Sequence, residues 1–145
     1  MRIGYTSGVF DLFHIGHLNI LKRAKDLCDY LIVGVSTDEL VESYKNKIPI
    51  IPFDERLAIV GAIRYVNKVV SQKNLNKLEA WKTLKFDIMF HGDDWKGTAL
   101  YKNYEEQLMA VGVRLVYLPH TQGISSSDIE ERFYSSITNK YGVMT

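Results

Sequence analysis

The chain has one cysteine and three prolines in 145 residues, and 18 basic side chains stand against 17 acidic ones. A single cysteine excludes an intrachain disulfide framework and any zinc site built on cysteine pairs. Cys28 itself lies in an apolar stretch, Leu27 to Leu31, where a small buried thiol is the usual occupant. No apolar run exceeds strand length, which excludes a membrane-spanning helix. The first residues lack the long apolar region of a signal peptide, so a cytoplasmic protein is expected. The net charge of +1 offers no basic surplus for extended contact with nucleic acid. Glycine-rich phosphate loops are also missing. There is no G-x-G-x-x-G, and residues 92–98 are no P-loop, because Lys96 precedes Gly97 and two aspartates there would repel a triphosphate. Binding of phosphate therefore falls to histidines, lysines, arginines and helix ends.

What is present is an alternation. Apolar segments of strand length at residues 2–6, 30–35, 67–71, 87–91 and 114–118 are separated by helical spacing at 16–27, 54–64, 75–84, 101–111 and 126–134. Such a pattern predicts one α/β domain of Rossmann-like type, with a mostly parallel sheet carrying helices on both faces. A nucleotidyl-binding domain over residues 1–135 and a polar C-terminal tail at 136–145 are the expected divisions, with no function assigned to the tail. Residues 41–53, with Lys45, Asn46 and Lys47 followed by Pro49 and Pro52, interrupt the alternation and read as a basic loop.

The densest signal follows the first strand: Gly8-Val9-Phe10-Asp11-Leu12-Phe13-His14-Ile15-Gly16-His17. Helix N-termini carry unsatisfied N–H groups and the positive end of the dipole, which favours an anion. Two imidazoles three residues apart project from one side of the first turn and can donate to one phosphate chain. Gly16 would let a ligand approach the backbone. A zinc pair is the competing reading, but a site wants three or four ligands and none stands nearby in sequence; no metal ligands are therefore assigned.

The stretch resembles the signature of the cytidylyltransferases, a family within the nucleotidyltransferases that carry H-x-G-H. The likeness extends over about the first 135 residues. It includes Ser36-Thr37-Asp38-Glu39, Arg64-Tyr65-Val66, Gly92-Asp93-Asp94-Trp95 and Thr121-Gln122-Gly123-Ile124-Ser125-Ser126. H-x-G-H alone is shared with adenylyltransferases and class I aminoacyl-tRNA synthetases, but this length and charge leave no means to grip tRNA. The resemblance implies transfer of CMP from CTP to a phosphorylated alcohol, with glycerol 3-phosphate, giving CDP-glycerol for a cell-surface polymer, as the leading acceptor. Other polyol, sugar, choline or ethanolamine phosphates, an ATP-using relative and a non-catalytic nucleotide-binding regulatory module are the alternatives. It further implies Mg²⁺ carried mainly by the CTP phosphates, and a homodimer.

Carried onto this chain, the resemblance makes His14 and His17 stabilisers of the triphosphate, with Val9 and Phe10 giving backbone contacts to the nucleotide. Asp11 orients the site or forms a turn before His14. Lys45 aligns with a loop lysine that reaches the transferred phosphates, and Lys47 is a close second candidate for that role and for the acceptor. Arg64 contacts phosphate, or else it only complements the dipole of the helix it closes. Asp94 and Trp95 lie at the base, with Trp95 as plain core the alternative. His120, Thr121, Gly123, Ile124, Ser125 and Ser126 meet the nucleotide, with Ser125 also a candidate N-cap and Asp128 at the capping-box position. The family usually carries arginine where this chain has His120, and a neutral imidazole would hold phosphate less firmly.

Overall fold

The computed structural model describes residues 1–93, 96–121 and 123–141. Its elements alternate in chain order: β1 (Ile3–Gly8), α1 (Ile15–Asp26), β2 (Tyr30–Ser36), α2 (Asp38–Lys45), α3 (Phe53–Gly61) and β3 (Lys68–Gln72). Then follow α4 (Lys77–Leu84), β4 (Ile88–Gly92), α5 (Ala99–Ala110), β5 (Arg114–Leu118) and α6 (Ser126–Tyr141). The five strands are all parallel, in the order β3-β2-β1-β4-β5. The chain thus winds outward from β1 to β3, then crosses back to β4. That reversal leaves a crevice beyond the carboxyl ends of β1 and β4, where sheets of this kind take their ligands.

Strand β2 shows why the sheet is buried on both faces. Leu31, Val33 and Val35 point one way and join Leu21 and Ala24 of α1 and Val60 of α3. Ile32 points the other way, with Tyr5, Met89 and Leu108 of α5, against Trp81 and Leu84 of α4. A central parallel strand therefore reads as an unbroken apolar run rather than an alternation. Cys28 is half-buried and packs against the first of these clusters. A Cβ on Gly4 would come within 2.8 Å of its Sγ, so glycine there makes room for the thiol.

Two expectations change. Residues 41–53 are not one loop, because α2 occupies their first part and carries Lys45 in its last turn. Thr37 Oγ1 accepts from the Leu40 N–H at 3.2 Å, Asp38 and Glu39 fill the first turn, and Asn46 ends the helix in the left-handed region at φ 54°. These are ordinary start and stop signals. The last helix continues past residue 134 to Tyr141. No helix among the described residues is long and apolar enough to cross a membrane.

Candidate active site

The turn that leaves β1 carries two non-glycine residues in the left-handed region, Phe10 at φ 55° and Leu12 at φ 49°. Such conformations cost about 1–3 kcal/mol each and persist only where surroundings hold them. The holding groups are identifiable. Arg56 Nη1 donates to the Val9 carbonyl at 2.7 Å, and Ser126 Oγ donates to the Asp11 carbonyl at 2.6 Å. The Asp11 carboxylate accepts from the N–H groups of Leu12, Ile50 and Ile51 at 3.1, 2.8 and 2.9 Å. Asp11 therefore does not cap α1. It fastens the segment before α3 to the turn after β1.

The cap of α1 is His14, extended at φ −140° and ψ −179°. Its Nδ1 accepts from the Gly16 N–H at 3.0 Å, and His17 Nδ1 accepts from the His14 N–H at 3.3 Å, a reciprocal capping box made by two imidazoles. The rings stack with centroids 3.9 Å apart. Gly16 is required by this arrangement, because a Cβ there would stand 2.7 Å from His14 Cε1. Its place in the site is thus to admit the His14 ring. Burial lowers the His17 pKa to about 4, reinforced by His14 and opposed by Asp11, and burial also lowers that of His14. Both rings are then neutral near pH 7. Since each Nδ1 accepts a backbone N–H, the proton of each ring sits on Nε2 as a free-standing donor.

Two neighbouring cavities share His17 and Ser126. One, of about 180 Å³, joins His14, Gly16, His120, Thr121, Ile124 and Ser125. The other, of about 300 Å³, joins Val9, Phe10, Asp11, Lys45 and Lys47. Ser125 Oγ accepts from the Asp128 N–H at 3.1 Å, so it does cap α6, and a second helix start faces the histidine pair. Asn19 Nδ2 donates to Thr121 Oγ1 at 2.9 Å, tying the segment after β5 to α1. Gly123 lies in the same segment at φ 77°, a conformation that glycine adopts without strain. His120 Nε2 stands 3.8 Å from Asp93 Oδ1, both half-exposed. Burial and the charge of Lys47 lower the Lys45 pKa, while Asp11 raises it.

Arg64 is not brought to this place. It follows α3 rather than closing it, is exposed, and lies three residues before Asn67, whose N–H donates to the carbonyl of Leu31 at the start of β2. It therefore stands at the amino-terminal edge of the sheet, on the order of 15–20 Å of strand from the histidines. The reason is geometric: a crossover helix begins at the carboxyl edge and ends at the amino edge. Asp94 and Trp95 lie outside the described residues.

Sequence reasoning missed two cations. Arg56, in the first turn of α3, is fully buried. Its Nε and Nη1 donate to the carbonyls of Ile51, Val9 and Ser36 at 2.7–2.8 Å, and Nη2 pairs with Asp38 Oδ1 at 2.7 Å. An arginine on the stripe of Phe53, Leu57 and Val60 was the available signal. Lys77, the first residue of α4, is only 7% exposed, and its ammonium lies 5.6 and 5.4 Å from the ring centres of Tyr101 and Tyr104. Among the described residues no carboxylate or carbonyl pairs with it, and burial lowers its pKa to about 8. The Tyr101 hydroxyl lies 2.8 Å from Nε2 of His91, near the end of β4.

The chain is 40% identical to the glycerol-3-phosphate cytidylyltransferase of Bacillus subtilis strain 168, over 90% of this chain and 96% of that protein. It is 38% identical to the FAD synthase of Pyrococcus abyssi, over 88% of each. The crystal structure of a lipopolysaccharide core biosynthesis protein from Thermoplasma volcanium superposes with a TM-score of 0.74 at 27% identity, covering 84% of this chain and 99% of that one. Residues 5–132 match the model of the Cytidylyltransferase-like family, so the chain is a nucleotidyltransferase that belongs to that family.

Proposed function

We propose that this cytidylyltransferase moves CMP from CTP to the phosphate of glycerol 3-phosphate, releasing CDP-glycerol and pyrophosphate. The observation that carries the reading is the pair of cavities meeting at His17, one bordered by the start of α6 and the other by Lys45 and Lys47. The nucleotide's phosphates suit the first and the acceptor's phosphate the second. The acceptor oxygen is already ionised, so it attacks the α-phosphorus without a general base. The new O–P bond forms as the bond to the β-phosphate oxygen breaks, and pyrophosphate leaves with the electron pair. Catalysis is then alignment and neutralisation of developing charge.

His14 and His17 suit that task as neutral Nε2–H donors, held by backbone N–H groups at Nδ1 and needing no reorganisation during the reaction. Donors of this kind contribute about 10²–10³ in rate each, although such effects do not simply add. Mg²⁺ enters as part of the substrate, the magnesium complex of CTP. Both oxygens of Asp11 are engaged by backbone N–H groups, which suits a metal carried by the triphosphate.

Pyrophosphate release with CTP or ATP against a panel of alcohol phosphates tests the reading. Turnover with CTP and glycerol 3-phosphate above all other pairs is expected. Preference for ATP would move the chain toward the activity named for its Pyrococcus relative. Binding of CTP with no turnover on any acceptor would leave a regulatory nucleotide-binding module.

A further inference from the structure

We propose that Arg56 is a positioning residue for the transfer step, acting through Ile51 to hold the lysine-bearing segment in register with the turn after β1. The inference rests on the reaction proposed above. The guanidinium is fully buried, and a buried charge is costly enough that packed apolar side chains often serve stability as well or better. What an apolar residue lacks is a rigid fork that binds several carbonyls at once. Here the fork joins three separate segments, through Val9 after β1, Ser36 at the end of β2 and Ile51 before α3, while Asp38 neutralises its outer end.

The other backbone polar group of Ile51 is held as well. Ile51 donates its N–H to Asp11 and gives its carbonyl to Arg56, and Arg56 also holds Val9. Residues 9–11 and residue 51 thus form a closed circuit through two oppositely charged side chains. The chain between that circuit and Lys47 is short and stiff. It contains Pro49, which is buried, and Asn46 upstream is set in the left-handed region. The position of Ile51 therefore decides where Lys47, and through Asn46 Lys45, meet the cavity they line with His17.

A double-mutant cycle reads this directly. Arg56→Lys keeps a charge but not the fork, and about 10- to 100-fold loss of kcat is expected, the scale of a misplacement of about 1 Å. The KM for CTP should change by less than about threefold. In a Lys45→Met, Lys47→Met background the same substitution should cost less than about threefold, because its effect travels through those lysines. Equal costs in both backgrounds, or a folded Arg56→Lys enzyme with unchanged kcat, would overturn the proposal. If Arg56→Lys does not fold, Asp38→Asn loosens the guanidinium from outside, and the same cycle applies with a smaller loss, about three- to tenfold. A wild-type enzyme without turnover refutes the reaction, not the clamp. Hydrogen exchange at the Ile50 and Ile51 amides then reads the clamp alone: faster exchange in the variant is expected, and equal protection overturns it.

Discussion

His17 performs two tasks with two different atoms, and isosteres separate them. Nδ1 accepts the His14 N–H and completes the cap of α1, while Nε2 carries the proton that the proposed reaction offers to substrate. Asparagine places an oxygen near the position of Nδ1 and nothing at Nε2; glutamine reaches the position of Nε2 with a donor but leaves the cap unmade. Both lose the same ring contacts, with centroids 3.9 Å from His14, 5.4 Å from Phe10 and 5.3 Å from Phe13, so that loss cancels when the two variants are compared. His17→Asn should therefore lose about 10²–10³ in kcat, roughly 3–4 kcal/mol of transition-state stabilisation. Loss of the cap in His17→Gln should cost about 1 kcal/mol of stability. That places its Tm about 3–5 °C below that of His17→Asn for a chain of this size. Steady-state pyrophosphate release and thermal unfolding, measured on both variants, give the four numbers. If His17→Asn retains kcat within threefold of wild type, Nε2 is not the operative atom and the tautomer argument fails. If the two variants melt together, the capping box carries no stability.

Gly16→Ala drives a Cβ into the His14 ring, 2.7 Å from Cε1, and should reduce kcat by about 10-fold or more with the fold retained by circular dichroism; an unchanged rate would mean that the ring has room to move. Lys77→Met keeps the buried stem among Tyr101 and Tyr104 and removes the charge. The same variant should be at least as stable as wild type at pH 7, since a charge without a partner is removed. Stability should also rise with pH between about 4 and 6.5, because the unfolded chain binds the His17 proton over that interval and the native state does not. Denaturant titrations at pH 4.5 and 6.5 check the sign, and a His17→Asn variant should show a weaker slope.

Periodicity carried most of the fold. Among the described residues, the five strands and helices α1, α3, α4 and α5 lie within a few residues of where apolar spacing puts them, because burial of one stripe or two faces imposes that spacing directly, and α6 starts where expected but runs on to Tyr141. Helix α2 was legible too, in Thr37, Asp38, Glu39 and Asn46, but its eight residues and the prolines that follow gave the segment the look of a loop. The site was legible where its residues adjoin a strand end, as at His14, His17 and Ser125. It was not legible where a helix carries a residue away from that end. Arg64 and Arg56 sit on the same side of the chain's path, eight residues apart, and only the direction of α3 puts one at the crevice and the other at the far edge.

The order of residues by itself determined that this chain forms a parallel α/β sheet with two histidines at the mouth of its first helix, since local spacing and burial suffice for that. Only the tertiary structure decided which nitrogen of each histidine accepts a backbone N–H, that Asp11 fastens a distant segment instead of capping its own helix, and that Arg56 rather than Arg64 is held against the turn after β1. The contacts of Asp11 and Arg56 join residues 39 to 47 positions apart, and no pattern along the chain encodes which carbonyl a buried donor will meet; the histidine nitrogens are set by the local geometry of the turn, which the residue order alone does not give.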